Sequence, residues 1–191
     1  MSIDSARIVC TGCDYETREV YRPIRIRYQT TNGKTIEASR TKGWCYDCAS
    51  YSDIERMIQR EFHAELISKQ RDRLEARHRQ GELNLGLLSN FRHRSEKRQL
   101  QYQLERLDKE IAELSGLLEI AMNRKSKARC LKCWSERTTP LTFDSESNIA
   151  HDFQHECGGN LKIIYDHSGL RINFRASIYL LSEEGVLLGQ E

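Results

Sequence analysis

Apolar residues in the middle of the chain recur at helical spacing. They follow one another in alternating steps of four and three residues: Leu100, Leu104, Leu107, Ile111, Leu114, Leu118 and Ala121. This heptad pattern is typical of a coiled-coil seam and predicts a helix from about residue 92 to residue 127. The seam can pair with another helix of the same chain or with its own copy in a second chain. A homodimer through Leu100–Ala121 is therefore one expectation.

A second, weaker helical pattern precedes this one. Ser52 and Asp53 are favoured N-cap residues, and Glu55 is an acid suited to a first helical turn, so we predict a helix from Ser52 to about Gln80, ended by Gly81. Residues 82–91, with four leucines and a phenylalanine, are interpreted as a turn or short helix whose apolar side chains either pack as a small cap or form a surface on which an adaptor docks. Helices joined by so short a segment prefer to lie antiparallel. The sequence thus predicts a long helical hairpin over residues 52–127.

The flanking segments alternate between apolar and polar residues, which is typical of strands. One strand is expected before Asn32-Gly33, a strong signal for a two-residue hairpin turn. That turn would place Arg25 directly opposite Arg40. Like charges so placed destabilise a hairpin, and we expect either a phosphate or a nearby carboxylate to offset them. After residue 160, strands are expected at 161–165, 170–174, 177–182 and 186–188, with a turn at 167–169.

Seven cysteines form three C-x2-C pairs plus one further cysteine. An odd number in this arrangement is typical of metal binding in a reducing compartment. Two zinc ions are predicted. The first set of ligands is Cys10, Cys13, Cys45 and Cys48, and the second is Cys130, Cys133, His155 and Cys157. His155 is preferred because residues two apart in an extended segment face the same side, with His151 as the alternative. Four ligands close the coordination sphere, which indicates structural rather than catalytic zinc.

Together these elements predict an α+β fold in which two small antiparallel-β zinc ribbons are joined by a long antiparallel helical hairpin. The expected domains are residues 1–51, 52–127 and 128–191. Apolar content of 38% and charged content of 30% suit small metal-stabilised modules and exposed helices better than one large core. With no apolar run long enough to span a bilayer and no signal-peptide pattern, we expect a cytoplasmic protein without membrane contact.

Charge is distributed unevenly although the net charge is only +2. Residues 1–135 hold 26 lysines and arginines against 19 acids, whereas residues 136–191 hold 4 against 9. A basic excess of this kind indicates an anionic partner. The arginines expected to contact nucleic acid are Arg25, Arg27, Arg40, Arg71, Arg73, Arg77, Arg94 and Arg98.

The four cysteine and histidine motifs resemble those of the zinc-ribbon superfamily. A helical hairpin with a basal zinc site is also similar to the DksA-type factors, which reach into RNA polymerase. The resemblance implies metal binding and a place in nucleic-acid-processing machinery. The DksA-type factors carry acidic residues at the hairpin tip, whereas this tip offers Glu82 among leucines and arginines.

Two functions follow as expectations. The first is a non-enzymatic, zinc-binding protein that associates with nucleic acid, within a larger complex. The alternative is an adaptor or regulator that docks on a large machine such as RNA polymerase or a defence or mobile-element complex. An enzyme is not expected, because the sequence contains no phosphate loop, open metal site or nucleophile-and-base motif.

Overall fold

The computed structural model describes residues 3–20, 23–83, 93–170 and 176–191. Within these ranges the fold is α+β, with two helices and three small sheets. Six strands precede the helices: β1 (Ile3–Cys10), β2 (Glu16–Val20), β3 (Ile24–Gln29), β4 (Thr35–Ala38), β5 (Arg40–Cys45) and β6 (Ser50–Glu55). The helices are α1 (Gln59–Leu83) and α2 (Arg94–Asn123). Four strands follow: β7 (Thr138–Pro140), β8 (Leu161–Leu170), β9 (Ser177–Ser182) and β10 (Leu187–Gln190).

The chain divides into two compact units. The β unit comprises Met1–Met57 and Lys125–Glu191, and the helical unit comprises Ile58–Arg124. The helical unit is thus an insertion into a β unit built from both ends of the chain, whereas the sequence predicted three consecutive domains.

Each sheet of the β unit combines strands from before and after the helices. The strand orders are β2-β1-β8, β10-β9-β3-β4 and β6-β5-β7. β8 pairs antiparallel with β1, β9 pairs parallel with β3, and β7 pairs antiparallel with β5. The predicted fold, two separate ribbons joined by a long antiparallel helical hairpin, is therefore wrong. The two ends of the chain share their sheets, and no self-contained ribbon exists among the described residues for the helices to join.

Residues predicted to begin the first helix form a strand instead. β6 pairs along its whole length with β5, from Arg40 opposite Glu55 to Cys45 opposite Ser50. Ser52 and Glu55, assigned to an N-cap and a first helical turn by the sequence, are buried in this sheet. Glu55 is fully buried, and its two carboxylate oxygens accept hydrogen bonds from the hydroxyl of Tyr28 and the backbone N–H of Arg129, both at 2.7 Å. Tertiary pairing thus overrides the local capping signal.

The hairpin of β3 and β4 has a different register from the predicted one. Gln29 lies opposite Thr35, and Arg27 lies opposite Glu37, so the loop is longer than the two-residue turn at Asn32-Gly33. The predicted opposition of Arg25 and Arg40 is therefore wrong. Arg40 instead forms an ion pair with Asp53 at 2.6 Å. A neighbouring carboxylate, the second of the two expected alternatives, compensates its charge.

A hydrophobic core of the β unit brings the first and third sheets together. Ile8 of β1, Trp44 of β5 and Leu161 of β8 are almost fully buried in one cluster. Burying an aliphatic side chain of this size contributes about 1.5–3 kcal/mol. Strands from both ends of the chain are needed to complete this core, so neither end can bury its apolar face alone.

The two helices contact each other within the helical unit. Lys69, Arg73 and Arg79 of α1 form ion pairs with Glu110, Asp108 and Glu96 of α2, at 2.6–2.7 Å. Leu100 and Leu104 pack with Ala76 of α1. Leu107 and Ala121 are buried as the heptad predicts, but Leu117 and Ile120 are buried in place of the predicted Leu118.

The seam on which the predicted homodimer depends is partly occupied within the chain. Part of the Leu100–Ala121 seam is already covered by α1 of the same chain. No helix among the described residues has the length and apolarity needed to cross a membrane.

The remaining strand predictions meet a mixed outcome. The strand predicted at 177–182 is confirmed as β9, and the last one lies one residue later at its start, as β10. β8 continues to Leu170 through the predicted turn at 167–169. The strand predicted at 170–174 and the leucine-rich tip at 82–91 fall mostly outside the described residues.

Candidate metal centres

Cys10, Cys13, His155 and Cys157 form the first cluster. Their ligand atoms all lie within 4.8 Å of one another. The Sγ atoms of Cys10 and Cys157 are 3.3 Å apart, and Nδ1 of His155 lies 3.6 Å from Sγ of Cys13 and 3.3 Å from Sγ of Cys157. The imidazole therefore faces the three thiols through Nδ1.

The second cluster consists of Cys45, Cys48, Cys130 and Cys133, again within 4.8 Å of one another. The Sγ atoms of Cys45 and Cys133 are 3.5 Å apart. Cys45 and Cys130 are fully buried, whereas Cys133 is exposed. All seven cysteines are free, and sulfur separations of 3.3–3.5 Å exclude disulfides, which need about 2.05 Å.

Antiparallel pairing of β1 and β8 builds the first cluster. Cys10 ends β1 directly opposite Leu161, the first residue of β8. The turns beyond these two residues meet, and the backbone N–H of Thr11 donates to the carbonyl of Asn160 at 2.9 Å. Cys157 thereby lies beside the Cys10–Cys13 turn, 147 residues away from Cys10 in sequence.

Pairing of β5 with β6 and β7 builds the second cluster. Cys45 lies opposite Ser50 of β6 and Thr138 of β7. Ile54 of β6 forms a bridge with Cys130, and the backbone N–H of Leu131 donates to the carbonyl of Asp53 at 2.9 Å. The chain segments that lead into and out of the helical insertion therefore lie side by side, and each delivers one cysteine pair.

The structure brings together all eight sequence-predicted ligands but corrects their grouping. The prediction joined Cys10 and Cys13 with Cys45 and Cys48, and joined the remaining four as a second site. The clusters are nested instead: the first and last motifs combine, as do the two inner ones. The prediction joined motifs that are neighbours in sequence. The strand pairing instead joins each motif before the helical insertion to the motif at the corresponding position after it.

His151, the alternative ligand, lies outside both clusters. Its Nε2 is 3.6 Å from a carboxylate oxygen of Asp144. Hydrogen bonds from the backbone and hydroxyl of Ser147 and the backbone of Glu146, with His151 nearby, lower the pKa of Asp144. His151 is thus held by a turn, and His155 is the residue placed among the thiols.

Both clusters fit the dimensions of tetrahedral zinc. Zn–S bonds of about 2.3 Å and Zn–N bonds of about 2.0 Å place the sulfurs about 3.8 Å apart, and a sulfur and a nitrogen about 3.5 Å apart. The separations here are 3.3–3.6 Å. Expansion of the sulfur separations by a few tenths of an ångström would accommodate one ion in each cluster.

Backbone amides and neighbouring thiols polarise the cysteines. Burial opposes ionisation of Cys10, but hydrogen bonds from the Gly12 N–H and from Cys157 and Cys13 outweigh it and lower the pKa of the Cys10 thiol. A backbone hydrogen bond from Tyr15 favours the Cys13 thiolate, yet hydrogen bonding to Cys157 and Cys10 raises the pKa of Cys13 to about 11. Because only thiolates ligate zinc, metal binding at Cys13 is accompanied by proton release at neutral pH.

The cysteines of the second cluster likewise differ in the direction in which their pKa values are shifted. Burial, followed by contact with the other thiols, raises the pKa of Cys48. Burial also raises the pKa of Cys130. For Cys133, burial is outweighed by hydrogen bonds from the Ser135 backbone and from the other cysteines, which lower its pKa. Each cluster thus contains one cysteine whose pKa is lowered and at least one whose pKa is raised.

Aromatic side chains cover the first cluster. The ring centroids of Tyr15 and Trp44 both lie 5.2 Å from that of His155, and Phe153 packs on Trp44 at 5.5 Å. Trp44 thus lies against the first cluster rather than the one that contains its neighbour Cys45, because successive side chains of a strand point to opposite faces.

The predicted nucleic-acid contacts divide into two groups. Arg27, Arg40 and Arg73 form ion pairs with Glu37, Asp53 and Asp108 within the chain. The other five are exposed and form no ion pair with any described residue: Arg25, Arg71, Arg77, Arg94 and Arg98. Four of these lie on the two helices.

No family model, curated protein or solved structure matches this chain. The metal centres therefore stand on their own geometry: two groups of four cysteine and histidine ligands able to hold metal ions such as zinc.

Proposed function

We propose that the chain is a non-catalytic protein that holds two structural zinc ions, one in each cluster. The observation that carries this proposal is the convergence of four ligand atoms within 4.8 Å at two separate places among the described residues. A sphere closed by four protein ligands leaves no position for a reactive water. The zinc ions serve to bind distant chain segments together.

Zinc would stabilise the β unit by joining the two ends of the chain. In both clusters one cysteine pair precedes the helical insertion and the other ligands follow it. Metal binding free energy in such sites is largely folding free energy, because the unfolded chain has no preformed site. Removal of zinc by a chelator should therefore loosen the β unit while leaving the helix content largely in place.

Zinc quantification on purified protein, at a chelator strength that spares the wild type, tests the proposal. We expect two zinc ions per chain in the wild type and in His151→Ala, and one in His155→Ala. The matched histidine change controls for loss of a surface imidazole, since His151 lies beside Asp144 and outside the cluster. One zinc or none in the wild-type protein, or loss of zinc only in His151→Ala, would refute the ligand assignment.

For the partner, we propose nucleic acid, bound through exposed arginines of the helical unit. Arg71 and Arg77 on α1, with Arg94 and Arg98 on α2, have no ion pair with a described residue. Uncompensated arginines bind phosphate by parallel hydrogen bonds and release condensed counterions, which makes such binding depend steeply on salt.

Binding to labelled DNA and RNA across a salt series tests this partner. Two variants, Arg71→Gln/Arg77→Gln and Arg94→Gln/Arg98→Gln, should weaken binding and reduce the salt slope by about 0.7–0.9 for each phosphate that is no longer neutralised. Arg106→Gln/Lys109→Gln is the matched control, because both side chains already pair with acids one turn away on α2. Equal affinity in all three variants would exclude these arginines as the binding surface.

A protein partner is the second candidate function. Ile67 and Leu74 on α1 are 54% and 66% exposed, and seven residues apart they lie on the same face of the helix. Exposed apolar side chains on a helix face are typical of docking surfaces. No binding to DNA or RNA at low salt would favour this adaptor role. The leucines at 85–88, which suggested this role in the sequence, lie outside the described residues.

A further inference from the structure

A cavity of about 480 Å³ lies within the β unit. Its walls come from β2, β3, β5, β6 and β9 and from the turn between Cys130 and Cys133, so all three sheets contribute. None of its lining residues is a cluster ligand. The volume falls in the range of small-molecule sites, roughly 300–1,000 Å³.

The lining is positively charged. It includes the cations Arg18, Lys42 and Lys132 and one carboxylate, Asp53. The Nζ of Lys42 lies 2.8 Å from that carboxylate, which compensates it. Arg18 and Lys132 are exposed and form no ion pair with a residue whose side chain is described. Two such cations at one cavity attract an anion, and the planar guanidinium of arginine suits a phosphate.

Hydroxyl groups add hydrogen-bond donors to the same cavity. Ser50 and Ser52 of β6 line it, with their Oγ atoms 3.3 Å apart, and Thr17 of β2 lines it as well. Hydroxyls rotate to donate to any acceptor within reach, so they can complete the recognition of phosphate oxygens. The polar part of the cavity therefore matches a phosphate group.

The remaining wall is apolar and aromatic. Ile24, Leu131 and Tyr179 line it. The ring of Tyr179 is held in an edge contact with Trp134, with centroids 5.4 Å apart at 79°. Aromatic side chains next to phosphate-binding cations are the combination that proteins use for nucleotides, since a base packs on a ring while the backbone phosphate meets the charge.

We propose that this cavity binds a nucleotide, with its phosphate at Arg18 and Lys132 and its base against Tyr179 and Leu131. The nucleotide is either free or one unit of a single strand. The site goes beyond the zinc function and is separate from the helical arginines. The nucleotide proposal for the cavity and the nucleic-acid proposal for the helical arginines can therefore be refuted independently, because their variants lie in different units of the chain.

Calorimetric titration of the zinc-loaded full chain with AMP, inorganic phosphate and an oligothymidylate tests the proposal. AMP should bind more tightly than phosphate. Arg18→Gln/Lys132→Gln should weaken AMP binding at least about tenfold, because two charge-assisted hydrogen bonds disappear. Lys34→Gln/Lys162→Gln removes the same charge from exposed positions of the same unit outside the cavity and should bind as the wild type does.

The results distinguish a free nucleotide from a nucleotide within a single strand, and they show which outcomes contradict the proposal. Parallel loss of oligothymidylate binding in Arg18→Gln/Lys132→Gln assigns the site to a strand, whereas loss of AMP binding alone assigns it to a free nucleotide. AMP no tighter than phosphate, no binding of any probe, or equal weakening in both double variants would overturn the proposal. Zinc content equal to that of the wild type shows that each variant is folded, and Tyr179→Ala provides a second, uncharged variant with the same expected loss.

Discussion

At the scale of residues, the ligands themselves were the most predictable part of the molecule. Coordination by C-x2-C and H-x-C depends on local chain geometry, so the spacing alone favoured His155 over His151. Two glycines, Gly158 and Gly159, follow Cys157 directly. Gly158 does have a positive φ of 85° and suits a turn. Gly159 instead lies against the backbone of Gly12, near the opposite end of the chain. A contact between residues so far apart in sequence cannot be predicted from a local pattern.

Gly159 allows the two halves of the first cluster to approach. A Cβ atom at this position would collide with the backbone N of Gly12 and would lie 2.7 Å from Sγ of Cys10. The turn from Cys10 to Cys13 and the turn after Cys157 therefore touch through backbone atoms. Only glycine permits this contact without displacing a ligand.

Gly159→Ala should accordingly weaken zinc binding at the first cluster. We expect about a 10- to 100-fold loss of affinity, the range found when supports of metal ligands are changed. Competition with a chromogenic chelator measures it. Gly189→Ala is the matched control, since a Cβ there meets no atom within 4 Å. Equal chelator resistance of the two variants would contradict the close approach of the two turns.

At the scale of elements, the sequence predicted whether a segment is a strand or a helix more often than it predicted which element that segment pairs with. The alternation of apolar and polar residues predicted β3 and β9, and the seam predicted α2. The failures occurred where a partner strand decides the outcome. Ser50–Glu55 carries helix-capping residues, yet its backbone groups pair with β5 along the whole strand, and a sheet satisfies them as completely as a helix would. The hairpin register differed by one residue because a longer loop replaced the two-residue turn.

Packing between α1 and α2 gives the element-scale prediction. Leu104 is 7% exposed and packs with Ala76 of α1, whereas Leu74 of α1 is 66% exposed. Leu104→Ala should lower the free energy of unfolding by about 2–5 kcal/mol through reduced burial and a cavity. Leu74→Ala, the same chemical change, should alter it by less than about 0.5 kcal/mol.

Urea unfolding of the zinc-loaded protein, followed by far-ultraviolet circular dichroism, measures both variants. The helical signal reports on the helical unit, while retained zinc shows that the β unit is intact. Similar stabilities of the two variants would mean that the packing of Leu104 on α1 does not hold the helices together. A second chain covering the seam would instead make the stability of the wild type depend on protein concentration.

At the scale of the whole molecule, the helical insertion decides the nesting of the metal centres. The ligand motifs were predictable from spacing, but their grouping was not, because it depends on which strands pair across the insertion. The chain leaves the β unit and re-enters it at one place, so the two segments that flank the helical insertion lie side by side. Glu55 and Arg129, on either side of the insertion, share a backbone hydrogen bond of 2.9 Å. The two cysteine pairs nearest the insertion in sequence form the second cluster, and the first and last motifs of the chain form the first cluster.

Paired cysteine changes distinguish nested from consecutive sites. Cys10→Ser/Cys157→Ser alters one cluster in the nested arrangement and should leave one zinc ion per chain. Cys10→Ser/Cys45→Ser alters both clusters and should leave none at a chelator strength that spares the wild type. Consecutive sites would give the opposite result, because Cys10 and Cys45 would then share an ion while Cys10 and Cys157 would not.

Zinc quantification on both variants decides between the two arrangements, with Cys45→Ser/Cys130→Ser as a second nested pair that should also retain one ion. The nested result follows from the pairing of β1 with β8 and of β5 with β7, since these two pairings bring the outer and the inner motifs together separately. Retention of one ion in Cys10→Ser/Cys45→Ser and none in Cys10→Ser/Cys157→Ser would contradict that pairing, and with it the placement of both ends of the chain in shared sheets.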